Sequence, residues 1–201
     1  NSLYGPYAFT SENLIRSLNT NKNTKLAIMI NGIEYFNLAE DYKNFFIHSN
    51  KSQISLIRIA INFNDFSKVK NISDFLKKRG YLVAINLMQS HGKKESDHIK
   101  IIKQIKSWNN CDILYFADSL GSMIPEDVKK LSKIYASNWK KDFGFHSHNN
   151  RTFSLANSVV AINSGATFID STICGMGRGA GNLSTESLLI ELNNLELHKG
   201  S

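Results

Sequence analysis

Short apolar runs rich in β-branched and aromatic residues return at near-regular spacing along this chain, and a stretch of helical periodicity separates each from the next. The runs are Lys25–Ile30, Leu56–Asn62, Leu82–Leu87, Ile113–Asp118, Phe143–Asn149 and Thr167–Ile173. Each is almost continuously hydrophobic and bounded by polar residues, the pattern of strands buried on both faces of a parallel sheet. The intervening segments carry one-sided apolar stripes. Phe66, Val69, Ile72, Phe75 and Leu76 share a face of Asp65–Arg79, and Ile99, Ile101, Ile102, Ile105 and Trp108 lie in Ser96–Trp108. Pro125 occupies the first-turn position of the next helix, ahead of Val128, Leu131, Ile134 and Tyr135. Phe153–Asn163 and Thr185–Leu197 complete the set, with a weak helix at Glu34–Phe46 and a short one at Thr10–Leu18.

Strict alternation of strand and helix implies right-handed crossovers and a parallel sheet. Two architectures satisfy it: a doubly wound open sheet, or a (β/α)₈ barrel lacking some of its units. Six strands in 201 residues fall short of a barrel of roughly 250, so strand count alone suits the open sheet. One domain with a sizeable core is expected at this length. No apolar run approaches the roughly 20 residues of a membrane helix, so no membrane partner is expected. Asn1–Gly5 lacks the basic start and apolar stretch of a signal peptide and reads as a loop. The expectation is that further chain precedes Asn1. Cys111 and Cys174 form neither a Cys-x-x-Cys pair nor a disulfide framework, which fits a reduced, cytoplasmic setting. Lys and Arg total 24 against 17 Asp and Glu, a net +7. The basic residues are scattered and several close helices, as in Lys77-Lys78-Arg79-Gly80, so no nucleic-acid partner is expected.

Four stretches carry chemistry. In Gly144-Phe145-His146-Ser147-His148-Asn149-Asn150, strand alternation turns His146 and His148 to the same side. Two imidazoles at i and i+2 near the C-terminal end of a strand can hold one divalent cation, with a carboxylate from elsewhere completing the site. They can equally make ordinary hydrogen bonds at a sheet end. Cys174-Gly175-Met176-Gly177-Arg178-Gly179-Ala180-Gly181-Asn182 follows the last strand. Its glycines permit close backbone approach, and the formal dinucleotide fingerprint sits at the wrong end of the chain for that use. Arg178 could meet a carboxylate or stay solvated. Asp118 and Ser119 follow the fourth run directly, where parallel sheets project functional groups and where turn chemistry also favours these residues. Met88-Gln89-Ser90-His91 follows the third run, and a loop His such as His91 is usually only solvated.

Taken in this order, the four stretches resemble the HMG-CoA-lyase-like family of metal-dependent aldolases and synthases. The glycine loop ending in Gly181-Asn182, the His-x-His pair, Ala117-Asp118-Ser119 and Met88-Gln89-Ser90-His91 look most like its 4-hydroxy-2-oxovalerate aldolase branch. The resemblance implies a (β/α)₈ barrel, incomplete here, with the visible strands numbered three to eight in a single catalytic domain truncated at its N-terminus. It implies Mn²⁺ or Mg²⁺ held by His146 and His148, and a 2-oxo acid met by Asp118, Ser119, Gly177 and Asn182. The reaction implied is cleavage or formation of a 4-hydroxy-2-oxo acid through a pyruvate enolate. A Claisen-type acyl-CoA synthase of the same family and a non-catalytic binding module are the alternatives. The family's first-strand Arg, Asp and His have no counterpart here, so the catalytic residues are unassigned, and neither Asp118 nor Asp170 takes the missing ligand's place. Little or no turnover is expected of the 201 residues alone. A homo-oligomer is expected. A dehydrogenase partner, which the bacterial aldolases meet through a C-terminal domain, does not follow for this sequence.

Overall fold

The computed structural model describes residues 11–21, 23–37 and 41–199. The N-terminal loop expected at Asn1–Gly5 lies outside them, as do Thr10 of the first predicted helix and residues 38–40 of the helix predicted over Glu34–Phe46.

Among the described residues six strands form one sheet: β1 (Leu26–Asn31), β2 (Ile54–Asn62), β3 (Leu82–Met88), β4 (Ile113–Asp118), β5 (Phe143–Ser147) and β6 (Phe168–Ile169). They lie in sequence order, each parallel to its neighbours. This order separates the two architectures left open by the sequence. A doubly wound sheet reverses direction at a switch point and so places helices on both faces. Right-handed crossovers that always step the same way place every helix on one face and curl the sheet around the other. The fold is therefore six strands of an incomplete (β/α)₈ barrel.

The helices are α1 (Glu12–Ser17), α2 (Gly32–Asn37), α3 (Lys70–Lys78), α4 (Glu95–Trp108), α5 (Pro125–Trp139), α6 (Ser154–Asn163) and α7 (Thr185–Lys199). Their ends follow local chemistry. Ser11 caps α1 through Leu14 N–H at 3.2 Å. Asp127 reaches back to Ile124 N–H at 3.1 Å where Pro125 opens α5. Gly80, at φ +86, ends α3 in the left-handed conformation.

Strand alternation divides the side chains into two cores. Ile57, Ile59, Ile61, Val83, Ile85, Leu87, Leu114, Phe116, Phe143 and Phe145 point outward and join Ile72, Leu76, Ile101, Ile102, Ile105, Val128 and Tyr135 from the helices. All are nearly inaccessible, which is where most of the hydrophobic stabilisation arises. The inner face holds a smaller cluster of Ala84, Ile113 and Tyr115 with Leu56 packed against it.

Several elements depart from the predicted bounds. The helix expected over Asp65–Arg79 begins with a 3₁₀ segment, Phe63–Val69, before α3. The helix expected over Glu34–Phe46 divides into α2 and a 3₁₀ turn at Asp41–Asn44. The strand expected over Thr167–Ile173 shrinks to Phe168–Ile169, because Thr172 leaves to pair with Ser184 and Ile173–Gly175 forms a 3₁₀ turn. At the end of β5, His148 also leaves the parallel ladder and makes an isolated antiparallel bridge with Asn182. Cys111 is buried and Cys174 exposed, and both are free. Among the described residues no helix is long and apolar enough to cross a membrane.

Candidate metal and substrate site

Parallel register carries inner-face residues across the sheet in rows. One row reads Met29, Arg58, Ala84 and Ile113. The next reads Asn31, Ala60, Asn86, Tyr115, Gly144 and Phe168. Above it, toward the C-terminal ends of the strands, Ala117 pairs with His146, and Asp170 stands one row above Phe168. The inner face thus carries Arg58, Asn86, His146 and Asp170, while the strand residues on the helix-facing side are mostly apolar up to Asp118 and Ser147 at the C-terminal ends of β4 and β5. Arg58 Nε and Nη2 and Asn86 Oδ1 are buried on the inner face without hydrogen-bond partners.

The structure brings His146 and His148 together. Their Nε2 atoms are 3.4 Å apart and the rings meet at 80°. Two ring nitrogens bound to one ion at about 2.1 Å stand roughly 3.0–3.5 Å apart for ligand angles of 90–110°, so the pair fits one divalent cation. Among the described residues no third His, Cys, Asp or Glu joins them in a ligand cluster. Burial, the facing His146 and the Arg178 charge push the His148 pKa down, against Asp118 and a backbone hydrogen bond with Arg178 that favour its charged form. A depressed pKa keeps the ring neutral, which is the form that ligates a metal.

His146 Nδ1, on the far side of its ring, lies 2.8 Å from Asp170 Oδ2. The same oxygen is 2.5 Å from Arg58 Nη1. Burial raises the Asp170 pKa, but the His146 hydrogen bond and the Arg58 charge outweigh it, and the carboxyl is held below the usual range. Arg58 in turn lies over the Tyr115 ring, 3.9 Å from its centroid. Tyr115 has that position because residue 144 is glycine: a Cβ there would overlap the ring. Sequence reasoning missed Arg58 as a site residue and left Asp170 without a role. The signal was present, since Arg58 and Asp170 are opposite charges set inside otherwise apolar strand runs.

The remaining predicted residues ring this pair. Asp118 is fully buried, and its carboxylate accepts from Ser122 N–H at 3.0 Å and Met123 N–H at 2.9 Å. It builds the loop after β4 and has the same strand parity as Phe116, on the helix side. Ser119, with the parity of Ala117, accepts from Gln89 N–H at 2.9 Å and ties this loop to the one after β3. His91 is exposed, as expected of a loop His, and also lies 2.6 Å from Ser122 Oγ across the same gap. Asn182 donates to Met176 carbonyl at 3.1 Å, and Gly177 packs against its amide with no room for a Cβ. Asn149 N–H donates to Gly181 carbonyl at 2.8 Å, and Asn150 bridges Leu120 carbonyl and Ala180 N–H. The glycine loop is thus stitched to the segment carrying His148. Arg178 is exposed. A concavity of about 640 Å³, lined by Asp112, Lys140, Lys141, Phe143 and Gly165, lies at the opposite ends of β4 and β5. A half-barrel has no wall on one side, so its mouth is not an enclosed volume.

A sequential parallel half-barrel with paired imidazoles and a glycine loop at the C-terminal ends of its strands places this chain in the (β/α)₈ barrel class. Residues 43–201 match the family model described as HMGL-like, and the chain belongs to that family. It is 34% identical over 145 residues to the 4-hydroxy-2-oxovalerate aldolase of Moorella thermoacetica, covering 72% of this chain and 43% of that protein. It is 31% identical over 193 residues to the oxaloacetate decarboxylase of Mycobacterium tuberculosis, covering 94% of this chain and 54% of that one. The chain therefore spans about half the length of the curated relatives it matches. The N-terminal domain of a Bacteroides vulgatus protein assigned as an aldolase superposes with a TM-score of 0.86 at 32% identity, over all of this chain and 65% of the other. The hydroxymethylglutaryl-CoA lyase of Pseudomonas aeruginosa shares the fold at a TM-score of 0.74 and 14% identity, over 92% of this chain and 67% of that one.

Proposed function

We propose that this chain forms the metal-binding half of a carbon–carbon lyase that cleaves a 2-oxo acid to the enolate of pyruvate, as a retro-aldolase acting on a 4-hydroxy-2-oxo acid. The observation that carries the reading is the 3.4 Å approach of two imidazole nitrogens at the C-terminal end of β5, the end of a barrel where active sites assemble. His146 and His148 would hold a divalent ion, Mn²⁺ or Mg²⁺. Bound there, it would supply Lewis acidity toward the carboxylate and keto oxygens of a 2-oxo acid.

The chain's own residues prepare the surroundings. The glycine loop, through Gly177 and Asn182, and the linked Ser119 border the mouth and orient the bound acid. Asp118 supports this border from behind by holding the loop that carries Ser119. The net +7 favours an anionic substrate, while the Arg58 charge is balanced by Asp170. Decarboxylation is a second reading, favoured by the 94% coverage in the match to the oxaloacetate decarboxylase. The chemistry is shared: in both substrates the bond between C3 and C4 of a 2-oxo acid breaks and leaves the same enolate, with an aldehyde departing in one case and CO₂ in the other.

His148→Ala and His146→Ala, each made in the full-length protein, should abolish both Mn²⁺ binding, measured by calorimetry and metal content, and pyruvate release from 4-hydroxy-2-oxovalerate. Wild-type metal content in either variant would remove the two-His site and the proposal with it. Pyruvate from oxaloacetate but not from the hydroxy acid would select the decarboxylase reading.

A further inference from the structure

We infer that Asp170 is a positioning residue for His146: it fixes the proton on Nδ1 and thereby leaves the Nε2 lone pair directed at the gap shared with His148. The inference rests on the metal-site reading above, but it concerns a state of the protein that exists before any ion arrives.

The argument begins with donor chemistry. A neutral imidazole carries one proton, on Nδ1 or on Nε2. Asp170 Oδ2 also meets the Arg58 guanidinium, and a carboxylate paired with that fixed cation only accepts hydrogen bonds. At 2.8 Å from Asp170 Oδ2, Nδ1 must therefore be the donor. The proton is then absent from Nε2, the atom 3.4 Å from His148 Nε2. Without the carboxylate, the ring would be free to place its proton on Nε2 and close the gap with a hydrogen bond to His148.

Asp170 is itself fixed on its other side. The Arg58 guanidinium, 12% exposed, contacts the same carboxylate oxygen, and its face is clamped over Tyr115 at 3.9 Å. Gly144 clears the space for Tyr115. A line of contacts thus runs Gly144, Tyr115, Arg58, Asp170, His146 through β5, β4, β2 and the segment after β6. Each member is set by packing or charge, so the imidazole at the end has one orientation and one tautomer. Carboxylates behind metal-binding imidazoles act in this way, and removing them typically weakens metal affinity 10–100-fold.

The test is spectroscopic first. Long-range ¹H–¹⁵N correlation spectra of the metal-free full-length protein at neutral pH should show His146 as the Nδ1–H tautomer. An Nε2–H tautomer overturns the inference, whatever the fate of the lyase reading. The second arm is Asp170→Asn, checked for native circular dichroism. It should give a mixed or Nε2–H tautomer at His146 and weaken Mn²⁺ binding roughly 10–100-fold, whereas Asp170→Glu should restore part of both. A folded Asp170→Asn protein with wild-type tautomer and wild-type Mn²⁺ affinity also overturns it. If Asp170→Asn does not fold because Arg58 is left unpaired, the wild-type spectrum decides alone. A wild-type protein that shows the Nδ1–H tautomer yet binds no Mn²⁺ sustains the positioning role and defeats the proposed function, so the two failures are distinguishable.

Discussion

His98 on α4 is fully buried between Phe63, 4.6 Å between ring centres, and Tyr135, 5.9 Å away. One ring nitrogen, Nε2, donates to Ser90 carbonyl at 3.2 Å, while Nδ1 is buried with no partner. Burial pushes its pKa down to about 4, against the Ser90 carbonyl and the nearby Asp97 and Glu95, which favour protonation. Between about pH 6.5 and pH 4 the unfolded chain binds a proton here that the native chain refuses. Stability from this group is therefore complete above pH 6.5 and is lost as pH falls toward 4, by roughly 3 kcal/mol in all. His98→Gln keeps a donor for Ser90 without a titrating ring. Urea unfolding midpoints at pH 7 and pH 4.5 should diverge less in this variant than in wild type, and an unchanged difference would assign the acid sensitivity elsewhere. The contrast with His146 and His148 shows what was legible at this scale. A pair at i and i+2 states its own geometry, because strand alternation turns both rings to one side. Asp170 could not be read the same way, since its partners come from β2 and β5, far off in sequence. Asp118 was visible as a polar residue after an apolar run, but only its parity with Phe116 reveals that it faces backbone amides.

At the scale of elements, strands were read more accurately than the segments that follow them. An apolar β-branched run needs only burial on both sides, and β2, β3 and β4 begin and end within two residues of the predicted limits. The departures occur where side-chain and loop contacts outbid the ladder. The β6 run was read four residues too long at its C-terminal end on the strength of Thr172 and Ile173, whose backbone is drawn instead into the glycine loop. That loop depends on crowded contacts, the closest of them at Gly181. Gly181 has φ +90, and a Cβ there would overlap Gly175 carbonyl, while its own carbonyl accepts from Asn149 N–H. Gly181→Ala should destabilise the fold by about 1–3 kcal/mol and displace the loop from His148, seen as a shift of the His148 ring resonances. A variant with native stability and unshifted His148 signals would mean that the loop tolerates a different path. Composition revealed that these glycines allow close approach; which atoms approach is a tertiary fact.

For the molecule as a whole, an ordered half-barrel sets its two sheet faces against each other. The helix-covered face is sealed, but the inner one is open: Met29, Leu82 and Phe168 on it are 65%, 43% and 36% exposed. Among the described residues β1 and β6 each have one sheet neighbour, so both edges offer unpaired backbone groups. Such edges recruit other strands unless they are blunted by charge or covered, and six strands cannot close on themselves at the curvature an eight-stranded barrel adopts. The net charge of +7 opposes association, but it is screened beyond about 8 Å at physiological salt and acts weakly between apolar edges. The 201-residue chain should therefore self-associate, increasingly so as salt is raised from low to physiological levels, as read by sedimentation equilibrium at tens of micromolar. Met29→Lys puts a charge on the inner row of the edge strand at a site already two-thirds in water. It should shift the distribution toward monomer without lowering the unfolding midpoint. A wild-type chain that is monomeric at both salt levels would show that the open edge is already covered, and the inner face would then have to be counted as surface rather than as the unfinished side of a barrel.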